Sequence, residues 1–126
     1  MQAQRWGRGI AITSLAVRQP IPNLILSNTA RTGATGFLKT LAREVAKDGV
    51  TVNSLQPGLH ATERIAQLLG GALDTQATDV PAGVVGKPAD FGRVAAFLCS
   101  DAARYVTGSA IPVDGGAHAG SRGSPA

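Results

Sequence analysis

Apolar residues recur at steps of three and four between Asn23 and Ala46, a spacing typical of one stripe along an α-helix. The residues of this stripe are Leu26, Ala30, Ala34, Phe37, Leu38, Leu41 and Val45. We therefore predict a helix over 23–46. Asn23 is expected to cap its first turn, and Gly49 is expected to end it in the left-handed conformation.

Two glycines, Gly33 and Gly36, lie inside this predicted helix. Each lowers helix stability by about 0.5–1 kcal/mol relative to alanine, so a structural reason for them is expected. The reason we expect is the close approach of another backbone, from a second helix or from a strand.

Three short runs rich in apolar and β-branched residues predict β-strands, at residues 9–14, 50–55 and 109–113. A strand, a long helix and a second strand in succession form a βαβ unit, which makes the strands parallel and the crossover right-handed. The sequence therefore predicts an α/β fold with three parallel strands.

The second half of the chain predicts a short helix over 62–69, an irregular loop over 70–86 and a helix that begins at Pro88. An irregular loop of this length beside a strand end is typical of a lid or substrate loop. The buried face of the last helix is expected to comprise Phe91, Val94, Ala95, Phe97, Leu98 and Ala102. We expect one domain over 1–117 and a flexible tail over 118–126.

Composition narrows the class of protein. A chain of 126 residues with 44% apolar residues suits one ordinary globular domain. No run approaches the ~18 apolar residues of a membrane span, and the N-terminus lacks the pattern of a signal peptide. The single cysteine, Cys99, fits the reducing cytoplasm, and we expect it in the core.

The net charge of +4 raises the question of nucleic acid as a partner. The basic residues are scattered along the chain, however, and aromatic residues make up only 4% of it. Because no stacking platform alternates with the basic residues, we interpret them as dispersed, solvated charges and predict no nucleic-acid partner.

Several segments form a recognisable set when taken in order: a strand ending in Ser14, then GFLKTLAREV, VTVNSLQPG, AAFLCSDAARYVTG and PVDGG. Together they resemble the C-terminal half of the short-chain dehydrogenase/reductase family, of the 3-oxoacyl-carrier-protein reductase type, over residues 5–117. The resemblance implies part of a Rossmann-type, doubly wound parallel sheet that holds strands five to seven of the family. It also implies NAD or NADP as cofactor and a small carbonyl compound or alcohol as substrate.

The family's Gly-rich phosphate loop has no counterpart in this sequence, because no G-x-G-x-x-G follows any predicted strand. The Gly-rich N-terminal half, which binds adenine and pyrophosphate in the family, is therefore expected to be lacking. For this chain alone we expect little or no turnover.

The family's active site is a Ser, then a Tyr thirteen residues later, then a Lys four residues further on. In this register Ser14 matches the serine, whereas Ser27 and Arg31 occupy the Tyr and Lys positions. An alkyl hydroxyl is a far weaker acid than a phenol, and Arg31 effectively keeps its proton. Losing a positioned acid typically lowers a rate about 10²–10⁴-fold.

Three interpretations of this substitution stay open. The chain belongs to a divergent reductase in which Ser27 donates a hydrogen bond to the substrate and Arg31 contacts the cofactor ribose or an anionic substrate. Alternatively, it is a non-catalytic binding or subunit-interface module of the same fold. In the third interpretation it is a truncated product without independent activity.

The resemblance also supplies candidate cofactor contacts. Pro57, Gly58 and Thr62 match the family's P-G-x-x-x-T segment, which approaches the nicotinamide end of the cofactor. The candidate cofactor-binding residues are therefore Arg31, Pro57, Gly58 and Thr62. His60 lacks a partner at metal spacing, so we expect it to face solvent without a role and predict no metal site. Asp114 is expected to be a turn residue.

The resemblance bears on assembly as well, since the family uses the equivalent of the 23–46 helix for dimers. Strand 9–14 would have an open edge, which favours aggregation or pairing. We therefore expect a homo-oligomer through the 23–46 helix, or poor solubility of the chain by itself.

Overall fold

The computed structural model describes residues 1–70, 72 and 77–118. Its strands are β1 (Gly7–Ile12), β2 (Val50–Pro57) and β3 (Ala110–Val113), and its helices are α1 (Ile25–Val45), α2 (Glu63–Leu69) and α3 (Pro88–Cys99). The strands form one parallel sheet in the order β1-β2-β3. The predicted α/β fold with three parallel strands is confirmed. The predicted tail beyond His118, and residues 71 and 73–76 of the predicted loop, lie outside the described residues.

The strand boundaries differ from the predicted ones, most of all in β1. This strand ends at Ile12, two residues before the predicted end, because Ser14 starts a short 3₁₀ turn. The Ser14 Oγ accepts a hydrogen bond of 3.1 Å from the backbone N–H of Ala16. Ser14 therefore lies in the loop that follows the strand rather than within it.

Of the two caps predicted for α1, the one at its N-terminus is wrong and the one at its C-terminus is confirmed. Asn23 does not cap the helix: its φ of 64° is left-handed, and the residue at the cap position is Leu24, whose side chain makes no capping hydrogen bond. After a short 3₁₀ turn the chain leaves the helix at Gly49, with the predicted left-handed φ of 72°. A Cβ at Gly49 would also collide with the carbonyl oxygen of Arg5, so glycine is required there for two reasons.

The core lies on both faces of β2, whose residues 50–56 are all buried. One apolar cluster packs under α1 and another under α3. These clusters are Ala42, Val50 and Val52 on the α1 side and Leu55, Leu98 and Ala103 on the α3 side. A sheet with helices on both faces is the arrangement of doubly wound folds.

The apolar stripe predicted for α1 is buried only toward its C-terminal end, where Leu38, Leu41 and Val45 pack against the core. Farther along the stripe, Leu26 is 83% exposed and Phe37 is 66% exposed, and Ala30 and Ala34 are exposed as well. The three strands lie under only part of the helix, and helical periodicity does not tell a packed apolar face from an unpacked one.

The glycines of α1 lie in open space. No atom of the described residues comes within 4 Å of a Cβ built at Gly33 or Gly36, apart from the helix's own neighbouring backbone. Within the described residues, the predicted close approach of another backbone to these two glycines is therefore wrong.

Helix α3 begins at Pro88 as predicted, and its buried side is formed by Phe91, Val94, Ala95 and Leu98. The prediction of burial is wrong for the other residues of that face. Phe97 is 49% exposed, and Cys99 and Ala102 are exposed. Phe97 and Cys99 flank Leu98, and each step along a helix turns a side chain by about 100°, so burying Leu98 turns both neighbours outward.

Helix α2 lies within the predicted segment 62–69. Its N-cap is Thr62, whose hydroxyl accepts a 3.3 Å hydrogen bond from the backbone N–H of Ile65. In the part of the chain that the structure describes, no helix is long and apolar enough to cross a bilayer.

Candidate active site

The carboxyl ends of β1 and β2 meet at one edge of the sheet, the edge at which open α/β folds bind ligands. Ser14 follows β1, Pro57 is the last residue of β2, and Gly58 comes directly after it. All three residues line one cavity of about 410 Å³, which lies within the usual range of ligand pockets, about 300–1,000 Å³. The other walls of this cavity are Leu15, Ile21, Leu59, Asp79, Val80 and Ala117.

Ser27 and Arg31 lie one turn apart on α1 and are hydrogen-bonded to each other. The Arg31 Nε donates to the Ser27 Oγ at 3.2 Å, and the Arg31 Nη1 donates to the carbonyl oxygen of Thr13 at 2.6 Å. Because the Ser27 oxygen accepts a bond from a cation, its own hydroxyl hydrogen is left to be donated elsewhere. This arrangement is suited to donating a hydrogen bond rather than to giving up a proton.

The predicted catalytic residues thus form two groups, Ser14 by itself and Ser27 with Arg31, which are linked through one hydrogen bond to Thr13. Ser14 lines the 410 Å³ cavity, whereas Ser27 and Arg31 are not among its lining residues. The link is the Arg31–Thr13 hydrogen bond, because Thr13 is the residue before Ser14. The structure therefore brings Ser27 and Arg31 to the end of β1, but neither is hydrogen-bonded to the Ser14 hydroxyl within the described part of the chain.

The predicted turn at Asp114 lies against Gly58. A Cβ at Gly58 would lie 2.6 Å from the Asp114 Cβ and 2.7 Å from its Cα, so only glycine fits. The Asp114 carboxylate accepts backbone hydrogen bonds from Gly116 and His118, each at 3.0 Å, and its Oδ2 lies 3.3 Å from the His118 Nδ1. Burial acts to raise the pKa of Asp114, but these hydrogen bonds and the His118 ring together lower it below its ordinary value.

His60 differs from its prediction, because it is buried, with 8% of its surface exposed. Its Nδ1 lies 3.1 Å from the carbonyl oxygen of Gly58, and its ring meets Phe91 edge-on at 5.4 Å between centroids. Gly86 provides the room, since a Cβ there would come within 2.8 Å of the imidazole. A histidine in a loop gives no signal in the sequence that such a pocket surrounds it.

Thr62 is the predicted cofactor residue that the structure separates from the others. It is exposed, its hydroxyl caps α2, and it does not line the cavity of Ser14, Pro57 and Gly58.

Arg18 is a residue of this region that sequence reasoning missed. Its Nε donates to the Gln56 Oε1 and its Nη2 donates to the Ala110 carbonyl oxygen, both at 2.6 Å. These bonds hold the turn after Ser14 against β2 and β3. They span 38 and 92 residues of sequence, so no local pattern indicates them.

A sequence profile described as enoyl-(acyl carrier protein) reductase matches residues 1–118. The chain belongs to the short-chain dehydrogenase/reductase family. The resemblance predicted from the motifs is therefore confirmed, and so is the lineage of NAD(P)-dependent oxidoreductases to which that family belongs.

Two curated relatives illustrate the range of this lineage. The chain is 39% identical to the 3-oxoacyl-[acyl-carrier-protein] reductase FabG of Haemophilus influenzae over 116 residues, which cover 92% of this chain and 48% of the relative. It is also 39% identical to a cyclohexanol dehydrogenase of a Rhodococcus species over 119 residues, covering 92% of this chain and 44% of the relative. The chain thus spans about half the length of the curated relatives it matches.

Solved structures agree with the fold. YwfH, an NADPH-dependent reductase involved in bacilysin biosynthesis, superposes with a TM-score of 0.88 at 29% identity, covering 93% of this chain and 49% of YwfH. An NADPH-bound short-chain oxidoreductase of Pseudomonas aeruginosa PAO1, described as containing an atypical catalytic center, gives a TM-score of 0.77 at 31% identity. That match covers 87% of this chain and 46% of the oxidoreductase.

Proposed function

We propose that this chain forms the substrate and nicotinamide side of an NAD(P)-dependent oxidoreductase that interconverts a small carbonyl compound and an alcohol. The observation that carries the proposal is the position of Arg31, which links the Ser27 hydroxyl to the end of β1 through bonds of 3.2 and 2.6 Å. Relatives named as a cyclohexanol dehydrogenase and an acetoacetyl-CoA reductase support this substrate class.

The residues present fit one end of the cofactor. The cavity of about 410 Å³ bounded by Ser14, Pro57 and Gly58 has room for a nicotinamide ring, and bound NAD(P) would supply or accept the hydride. Arg31 and Thr62 are further proposed cofactor contacts by resemblance, Arg31 at the ribose. We propose no role for this chain at the adenine end, because the sequence has no G-x-G-x-x-G segment.

The proposed chemistry uses hydrogen-bond donors in place of the family's phenol. The oxygens of Ser27 and Ser14 each accept an internal hydrogen bond, so neither of these bonds uses the hydroxyl hydrogen, and either hydroxyl can donate to a substrate oxygen. Arg31 keeps its proton and acts through its charge, which stabilises negative charge that develops on that oxygen after hydride arrives. Solvent water then supplies the proton that completes the alcohol, and takes it up in the reverse direction. The interpretation of a divergent reductase is the one that this arrangement favours.

The test is a titration of the chain with NADPH and NADH, followed by cofactor emission, with acetoacetyl-CoA and cyclohexanol as trial substrates. Binding tighter than about 100 μM, or roughly −5.5 kcal/mol, would support the proposal. Whatever turnover of the trial substrates the chain shows should then fall at least about 10-fold in Ser27→Ala, without a change in the Kd of NADPH. Thr29→Ala, an exposed change on the same helix, should leave both values unchanged. No binding at millimolar cofactor would overturn the proposal.

A second candidate is a non-catalytic subunit-interface module, favoured by the exposed face of α1. Ile25 is 76% exposed, Leu26 83% and Phe37 66%, and exposed apolar patches of this kind often mark interaction sites. We propose that the chain forms a homo-oligomer through this face. Light scattering should then show a dimer or larger species that Phe37→Glu dissociates and Phe97→Glu, an exposed change on α3, does not. A monomer in the unmodified protein would contradict this candidate.

A cytoplasmic location and a single domain over residues 1–117 complete the proposal. The single cysteine supports a reducing compartment. Limited proteolysis should leave 1–117 intact if this stretch is one domain.

A further inference from the structure

The 410 Å³ cavity at the carboxyl edge of the sheet carries one charged side chain, that of Asp79, among its described walls. Ser14 supplies a hydroxyl, and the walls other than these two are apolar side chains and Gly58. We propose that Asp79 selects a substrate with a basic amine, so that the small carbonyl compound or alcohol is an amino ketone or amino alcohol. This inference rests on the proposed function and names the substrate class of the same cavity.

The place of Asp79 in the cavity wall is set by the residue that follows it. Val80 is 7% exposed, and its Cγ1 would lie 2.7 Å from a Cβ at Gly115, so the absence of a side chain there lets the valine pack. The Gly83 N–H donates to the Val80 carbonyl oxygen at 2.7 Å, and the Ala82 N–H donates to the Gly115 carbonyl oxygen at 3.0 Å. The segment is thus tied to the turn after β3, which keeps Asp79 at the cavity.

The charge of Asp79 is available to a ligand. In the part of the chain that the structure describes, its carboxylate makes no hydrogen bond and no ion pair, whereas both carboxylate oxygens of Asp114 accept hydrogen bonds from the backbone. An unpaired carboxylate beside apolar walls attracts a cation and repels an anion. Because Asp79 is exposed, solvent screens part of this effect, and the selection is expected to depend on salt.

The remaining walls complete the description of the ligand. The Ser14 hydroxyl can donate to the substrate oxygen, and Leu15, Ile21 and Leu59 offer apolar contact to a carbon skeleton. A substrate that fits has an oxygen for Ser14, an apolar middle and an ammonium group for Asp79. The reaction stays as proposed above, because the ammonium takes part in neither the hydride transfer nor the proton transfer.

The alternative of an anionic substrate held by Arg31 is disfavoured by the same geometry. Arg31 does not line the cavity, and its Nε and Nη1 already donate to Ser27 and Thr13. A carboxylate placed in the cavity would instead meet the like charge of Asp79. Like charges at close range lower affinity.

The test compares three ligands of similar shape that differ in charge. They are trans-4-aminocyclohexanol, a cation at pH 7, uncharged trans-4-methylcyclohexanol, and the anion trans-4-hydroxycyclohexanecarboxylate. Saturation-transfer NMR titrations measure each Kd with and without NADPH. We expect the amine to bind at least about 3-fold tighter than the methyl compound and at least about 10-fold tighter than the carboxylate. Both ratios should shrink as salt is added.

Variants assign the preference to one carboxylate. Asp79→Asn keeps the shape of the side chain and should bring the three Kd values within about 2-fold of one another. Asp79→Lys should reverse the order, so that the carboxylate binds more tightly than the amine. Glu44→Gln makes the same change in net charge as Asp79→Asn at an exposed position of α1 outside the cavity, and it should leave the order unchanged.

Three results would overturn the inference. The amine binds no tighter than the methyl compound; Asp79→Asn keeps the order of the unmodified chain; or Glu44→Gln removes the order as completely as Asp79→Asn does. Failure of the proposed function looks different, since it is the absence of NADPH binding at millimolar cofactor. The titrations without NADPH still report the charge preference of the cavity in that case.

Discussion

Replacing Asn53 tests whether its two side-chain hydrogen bonds hold the third strand in place. This side chain lies in the middle of β2 and is 1% exposed. Its Nδ2 donates to the Val106 carbonyl oxygen at 2.8 Å, and its Oδ1 accepts from the Ser109 N–H at 3.1 Å. It therefore ties β2 to both sides of the turn that leads into β3.

The substitution to make is Asn53→Leu, which keeps the volume similar and removes both hydrogen bonds. The Val106 oxygen and the Ser109 N–H are then left without their partner, and an unsatisfied buried group costs about 1–3 kcal/mol. Because these groups are only partly buried, water relieves some of that cost. We expect the free energy of unfolding to fall by about 2–4 kcal/mol.

Thr51→Val is the matched control, two residues earlier on the same face of β2. Thr51 is 4% exposed, and its Oγ1 is the buried side-chain atom without a hydrogen-bond partner among the described residues. Replacing that hydroxyl by a methyl group should leave stability unchanged or raise it by up to about 1 kcal/mol. Urea unfolding followed by circular dichroism measures both variants. A loss below about 1 kcal/mol for Asn53→Leu, or an equal loss for Thr51→Val, would refute this reasoning.

Three further predictions follow from single sites. Gly58→Ala should lower the urea midpoint, because its Cβ would lie 2.6 Å from the Asp114 side chain, whereas Gly92→Ala, in open space on α3, should raise it slightly; the opposite order would contradict the clash. Asp114 has a lowered pKa in the folded state, so its contribution to stability is complete above its unfolded pKa of about 3.9 and is lost as pH falls through the lower folded value. The stability gap between the protein and Asp114→Asn should therefore shrink on going from pH 6 to pH 3, and a gap that widens would reverse the sign of this linkage. Because Cys99 is exposed, its thiol should react with a thiol reagent in the folded protein about as fast as in urea; strong protection would show that it is covered.

The sequence located the elements well because their signals are local. Periodicity predicted a helix over 23–46, and the observed helix runs from Ile25 to Val45. Burial was predicted less well, since it depends on which sheet surface is available. The stripe that includes Leu26 and Phe37 has regular helical spacing, but the sheet underneath α1 does not extend to these residues.

The candidate site shows the same division between local and distant contacts. The Ser27–Arg31 pair was predictable, because residues four apart are neighbours on a helix. The bond from Arg31 to Thr13 was not, since it depends on how α1 crosses the end of β1. Nor did the scattered sequence positions of Arg5 and Arg104 indicate that both residues line one cleft of about 520 Å³ at the edge of the sheet where β1 begins. The interpretation of dispersed charge missed this convergence.

Arginine and lysine are not equivalent at position 31, because only arginine has an Nε that can donate to Ser27 while another nitrogen donates elsewhere. The guanidinium is a fork that donates from Nε to Ser27 and from Nη1 to Thr13, whereas an ammonium is a point charge at the end of a flexible chain. Arg31→Lys should therefore lose one of the two bonds and lower the free energy of unfolding by about 1–2 kcal/mol.

In Ser27→Ala the serine bond is already absent, so Arg31→Lys should cost less in that background than in the unmodified protein. A double-mutant cycle by urea unfolding measures the difference, and fully additive losses would show that the two residues are independent. If the coupling is found, introducing the family's residues by Ser27→Tyr with Arg31→Lys removes the bond between the two positions and leaves the lysine with at most the bond to Thr13. The effect of replacing Ser27, at the tyrosine position, then depends on the residue at position 31, the lysine position. The reason is that Arg31 donates both to Ser27 on the helix and to Thr13 at the end of the strand.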